Sequence, residues 1–170
     1  EVLISIKPKW CEKIASGEKT IEVRKTAPKE VPFKAYIYCT KGRDLLREVS
    51  CWNTKTKIHK TNYRIINLDY CTNKIANGKV IGEFICDKVY NVEPVFSFYD
   101  CYSGYDDTSD FSYFEDYSID PERLKKTCLT RQDLYIYGKG KTLYGWHISD
   151  LKIYDKPKEL SEFVTAREKD

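Results

Sequence analysis

The feature that most constrains this chain is an abrupt change of hydrophobic period at Gly17. Before it, Cys11, Ile14 and Ala15 recur at helical spacing from Pro8 onward, which predicts a two-turn helix over Lys9 to Ser16 with Pro8 in its first turn. After it, Ile21 and Val23 alternate with Thr20, Glu22 and Arg24, the signature of a strand with one apolar and one polar face. Gly17 supplies the left-handed residue that ends the helix and lets the chain reverse. Helix, turn and strand therefore form one unit, and its charged residues crowd around the turn.

The β-branched run Val2 to Ile6 reads as a buried strand ahead of this unit, and Lys34 to Cys39 as another that ends at Thr40-Lys41-Gly42. Val80 to Tyr90 is a further strand, with Gly82 at a bulge or close approach. Leu143 to Ile148 and Leu151 to Tyr154 predict two closing strands, followed by a charged helix or tail near Leu160 to Glu168. Asp120-Pro121 and Thr130-Arg131-Gln132-Asp133 look like two helix starts. Residues 43–79 lack a clean period apart from Tyr63 to Ile66 and read as an insertion with one helix or strand. Residues 94–120, which mix acids with aromatics, read as a long ordered loop. With 170 residues and no Gly-rich strand-to-helix turn, the expectation is one α+β domain spanning 1–170, a small mixed β-barrel with peripheral helices.

Charge is unevenly placed. Residues 1–60 hold 14 Lys/Arg against 7 Asp/Glu, whereas residues 89–122 hold 9 Asp/Glu and no Lys/Arg, so one region suits anions. Seven cysteines, odd in number and without a C-x-x-C pair, fit reduced thiols and a cytoplasmic location. Apolar runs too short for a membrane span predict no membrane association, and two distant histidines predict no metal and no cofactor.

The densest functional signal is Gly17-Glu18-Lys19-Thr20-Ile21-Glu22-Val23-Arg24-Lys25. Glu22 and Arg24 share a strand face, and Lys19 leans over it from the turn. A guanidinium fork, an ammonium and a carboxylate together can hold a phosphate or a base edge, with the carboxylate accepting from an exocyclic amine. The same set can transfer protons, or can be a plain surface ion pair of little worth. Lys7, Lys9, Lys25 and Lys41 are placed to guide a phosphate backbone. Trp10 points toward the same region and can stack a base, while Trp52, Trp146 and His147 read more simply as structural.

The run Ser5-Ile6-Lys7-Pro8, a helix, and then G-E-K-T-I-E-V-R resembles the opening of the activating-signal-cointegrator homology (ASCH) domain. All four positions of that family's G-x-K-x-x-E-x-R signature are matched, by Gly17, Lys19, Glu22 and Arg24. Val80 to Phe84 and Leu143 to Ile148 are similar to later pieces, so the likeness spans most of the chain outside 43–79 and 94–120. It implies a PUA-like fold, a cleft lined by Lys19, Glu22 and Arg24, and binding of RNA or a nucleotide-like small molecule. One subgroup hydrolyses N4-acetylcytidine with a lysine, a threonine and a distant glutamate. Lys19 matches the lysine, but Glu22 stands where that subgroup carries its threonine, and Thr20 lies in a different register.

Three functions follow as expectations. The first is RNA or modified-nucleoside binding at Lys7, Lys9, Trp10, Lys19, Glu22, Arg24, Lys25 and Lys41. The second is hydrolysis of a modified nucleoside or RNA, with Lys19 and Glu22 catalytic. The third is a protein partner held by the acidic aromatic stretch 96–117.

Overall fold

A computed structural model describes residues 1–100 and 110–163. The middle of the stretch 94–120 read as a loop, with its acids Asp106-Asp107, its aromatics Tyr102 and Tyr105 and the turn residues Ser103-Gly104, lies outside the described residues, as do Cys101 and the tail beyond residue 163. The order is β1 (Val2–Ile6), α1 (Pro8–Ala15), β2 (Ile21–Arg24), β3 (Phe33–Cys39), β4 (Leu46–Asn53), β5 (Ile58–Ile65), β6 (Lys79–Asp100), β7 (Asp110–Ser118), α2 (Pro121–Thr127), α3 (Arg131–Gly138) and β8 (Leu143–Glu159). A 3-10 turn, Leu160–Phe163, follows β8.

The main sheet runs β1-β3-β6-β8-β2, with β7 paired to β6, and β4 and β5 form a separate two-stranded ribbon. β1 is parallel to β3; every other pairing is antiparallel. The architecture is α+β, a strand-rich sheet with three α-helices among the described residues. Strands β1 and β2 end the path, and the Arg24 guanidinium spans between them, donating from Nη1 to the Ser5 carbonyl at 3.1 Å.

Three regions differ from the sequence expectation. Residues 94–120 are not a loop: β6 continues to Asp100 and pairs with β7, from Glu93 opposite Ser118 onward. Aromatics and acids alternate poorly there because only part of the hairpin rests on a core. Residues 43–79 carry the β4–β5 ribbon, and the loop after it wraps a buried Arg47, whose guanidinium donates to the carbonyls of Ile66, Cys71 and Asn73 at 2.8–3.0 Å. The two predicted closing strands are one, β8, which passes through Asp150 at φ 47 without breaking.

Two apolar clusters hold the fold. One gathers Ile4, Ile6, Cys11, Ile14, Ile37, Leu46, Tyr63, Phe84 and Trp146 between the sheet, α1 and the ribbon. The other gathers Val23, Val92, Tyr117, Leu134 and Leu143 under α2 and α3. Among the described residues no helix is long and apolar enough to cross a membrane.

Gly82 sits where the β6 register shifts against both β3 and β8, in keeping with the bulge read from the sequence. A Cβ there would meet the Lys152 carbonyl oxygen at 2.6 Å, and a backbone atom in a paired strand cannot swing aside. Gly82→Ala is therefore expected to lower stability by about 1–3 kcal/mol in urea melts, with an unchanged m-value.

Candidate nucleotide-binding cleft

Residues 17–20 are tied down from three sides. Gly17, at φ 84, donates to the Ile14 carbonyl; Lys19 N–H donates to Lys13; and Thr20 N–H donates to the Lys126 carbonyl at the end of α2. The Ile148 N–H in turn donates to Thr20 O, so β8 locks the other edge of the turn. Lys19 is carried inward by this frame and is only 1% exposed. Its Nζ donates to the Thr127 carbonyl at 2.6 Å, one of the carbonyls left free at the C-terminus of α2, where a cation is favoured. Burial nonetheless pulls the Lys19 pKa below its ordinary range, against the opposing pull of Glu22 and Cys128.

Glu22 lies on β2 opposite Trp146 of β8 and is 6% exposed. Burial raises its pKa, while Lys19, Arg24 and a backbone N–H at Val23 hold it back. No ion pair within 4.0 Å joins Glu22 to Lys19 or Arg24 among the described residues, and its Oε2 is buried without a hydrogen-bond partner. The surface ion pair expected as one possibility is therefore absent, and on the polar face of β2 Glu22 is buried while Arg24 stays partly exposed. Two buried groups of opposite charge face one space without closing on each other.

That space is an open cleft of about 320 Å³ at the seam between the two apolar clusters. Of the residues singled out in the sequence, Lys7, Trp10, Lys19, Glu22 and Arg24 line it together. Two ammonium groups address the Trp10 ring, Lys19 at 5.3 Å and Lys9 at 4.6 Å from its centroid; Lys9 itself is not among the lining residues. Lys25 lies over the Tyr137 ring at 4.7 Å, and Tyr137 is part of the wall. Lys41 does not join: it packs its stem over Gly78, away from the lining.

The opposite wall was not read from the sequence. Leu129, Asp133, Ile136 and Tyr137 supply it, with Ser5, Ile6 and Val23 completing the lining. The capping box in which Thr130 and Asp133 exchange side-chain and backbone bonds was legible as a helix start. What α3 packs against was not. Trp146 is core, donating Nε1–H to Thr26 O, and His147 pairs with Asp87 at 2.6 Å outside the cleft.

Comparison with solved structures finds the same fold. The crystal structure of ASCH from Zymomonas mobilis matches with a TM-score of 0.51 and 16% identity over 94% of this chain and 73% of that one. A tyrosine-to-phenylalanine variant of the Zymomonas protein matches with a TM-score of 0.50 and 15% identity over 94% and 76%. No protein-family model and no curated protein matches the sequence.

A raised Glu22 pKa means that its protonated form is favoured by folding. Its contribution is fully present below the unfolded pKa and is lost as pH rises through the folded value. Glu22→Gln removes the buried charge, so thermal melts are expected to show the variant more stable than wild type at pH 7. The gap should narrow toward the ordinary glutamate range, as the wild-type carboxyl is protonated.

Proposed function

On this ASCH-domain fold, we propose that the cleft binds one nucleobase, presented either by single-stranded RNA or by a modified nucleoside. The observation that carries the reading is Glu22, a buried carboxylate with one oxygen lacking a partner beside a space of nucleoside size. An exocyclic amine donating to that oxygen would satisfy it, and leaving such a group unpaired costs about 1–3 kcal/mol. Lys19 keeps donors for a carbonyl oxygen of the same base after its bond to Thr127. Trp10 and Tyr137 offer aromatic surfaces, and Lys7 and Arg24 contribute positive charge to the lining for phosphate. Amine, carbonyl and ring together are what cytosine and guanine offer, whereas adenine lacks the carbonyl and uracil the amine; cytosine or a derivative of it is the base taken for the test below. The PUA-like barrel expected from the resemblance would place this cleft on the barrel wall, between the ends of β1 and β2.

A second reading, hydrolysis of an acylated amine on such a base, is favoured by one observation. Lys19 is desolvated and its pKa lowered, which enlarges the neutral fraction available to take a proton, with Glu22 beside it in the cleft. Incubation with N4-acetylcytidine tests it: release of acetate and cytidine that rises with pH and vanishes in Lys19→Ala supports hydrolysis. Unchanged nucleoside leaves binding alone.

For binding itself, calorimetric titration with cytidine and uridine is combined with anisotropy of a labelled oligocytidylate at two salt concentrations. Wild type is expected to prefer cytidine, and Glu22→Gln to erase that preference with a loss of about tenfold or more. Lys7→Gln with Arg24→Gln should weaken RNA more than nucleoside and flatten the salt dependence. Equal affinity of wild type and Glu22→Gln for cytidine would sink the reading.

A further inference from the structure

The β4–β5 ribbon stands apart from the cleft and shares none of its lining. Its base is fastened to the body: Tyr63 Oη donates to Tyr154 O at 2.9 Å, Thr61 Oγ1 to Asp155 O at 2.8 Å, and Glu12 on α1 accepts from the Ile65 N–H. Toward the tip no described residue covers it. Every residue from Ser50 to Lys60 is exposed, including Trp52 at 51% and Ile58 at 62%.

The tip is nevertheless built. The Asn53 Oδ1 accepts from the N–H groups of Lys55 and Thr56, and the Asn53 backbone carbonyl accepts from Lys57 N–H at 2.8 Å, which fixes the turn. Trp52 lies directly across the ribbon from His59, with ring centroids 4.7 Å apart, and His59 Nδ1 is 3.2 Å from Ser50 Oγ. An exposed indole is thus propped in place rather than free to collapse on the surface.

Around it the charge has one sign. Lys55, Lys57 and Lys60 are all exposed, no Asp or Glu occurs between Glu48 and Asp69, and none of the three cations makes an ion pair among the described residues. A pre-set aromatic among unneutralised cations matches a chain that alternates stacking rings with phosphates. An acidic peptide would use the cations but offers little to an upright indole.

We propose that the β4–β5 ribbon is a second docking surface for single-stranded RNA, in which Trp52 stacks a base while Lys55, Lys57 and Lys60 contact phosphates. This inference rests on the nucleobase reading of the cleft, and extends it from one base to a polymer. The cleft selects the base and the ribbon adds affinity without selecting sequence.

The test uses the full chain, with cytidine as a probe of the cleft alone and a labelled oligocytidylate of about 16 nucleotides as a probe of both surfaces. Two variants are compared with wild type: Trp52→Ala, and a triple change of Lys55→Gln, Lys57→Asn and Lys60→Gln. Asparagine is chosen at Lys57 because that residue has φ 55, where it is tolerated. Both variants should bind cytidine as wild type does. Trp52→Ala should lose about tenfold in RNA affinity, and the triple variant should reduce the salt slope by about 2. Unchanged RNA affinity and slope in both variants would overturn the inference while leaving the cleft intact, and the lysines would then serve only to keep the ribbon's edges from pairing. Wild type that binds cytidine but no RNA would overturn it as well. Wild type that binds neither removes the cleft reading along with it.

Discussion

The bond from the Lys19 ammonium to the Thr127 carbonyl is the contact on which the functional face depends. It joins the turn after α1 to the buried C-terminal end of α2, two elements more than a hundred residues apart in sequence. The neighbouring bond from Thr20 N–H to Lys126 O repeats the attachment through the backbone. Because Cys128 adopts a left-handed conformation immediately afterwards, the chain turns away and α3 follows as the opposite wall of the cleft. Without that docking the buried charge of Lys19 would lack its acceptor, and the cleft would lack one wall.

The arrangement places electrostatic cost where a ligand can relieve it. Lys19 and Glu22 are both largely removed from water, and burial moves each toward its neutral form. They do not neutralise each other by direct contact. A buried pair that closed into an ion pair would stabilise the fold and leave nothing for a ligand to satisfy. Here the carboxylate keeps an unpaired oxygen beside the open space, while Arg24, which might have taken it, is committed to the Ser5 carbonyl between the two edge strands. On the proposed reading, a base in the cleft would relieve that cost, which in the free protein is borne as lost stability.

The chain also separates its charges in space. The basic segments supply much of the cleft and the β4–β5 ribbon, whereas the acids of 89–122 that lie among the described residues fall on β6, on β7 and at the start of α2. Phe114 stacks on Tyr135 of α3 at 4.6 Å, and Arg131 donates to the carbonyls of Tyr117 and Ile119, so the described part of that hairpin braces the helix that walls the cleft. The acidic aromatic stretch thereby has a role in positioning the site whatever else it contacts.

By itself, the sequence determined the local units whose signals are local. The helix over Pro8–Ala15, the stop at Gly17, the strand holding Glu22 and Arg24, the bulge at Gly82 and the Thr130 cap all follow from spacing and from what glycine, proline and capping residues permit. It also placed five of the cleft's residues on one short stretch, because a helix-turn-strand unit brings its own ends together. Tertiary structure alone decided that Lys19 is buried rather than leaning over a wet face, since its acceptor is the Thr127 carbonyl, more than a hundred residues away. It likewise decided that 94–120 pairs as a hairpin and that β8 runs unbroken past Asp150, because those elements take their stability from partners across the sheet rather than from their own pattern. Periodicity records which way a side chain faces; it does not record which distant element will come to cover it.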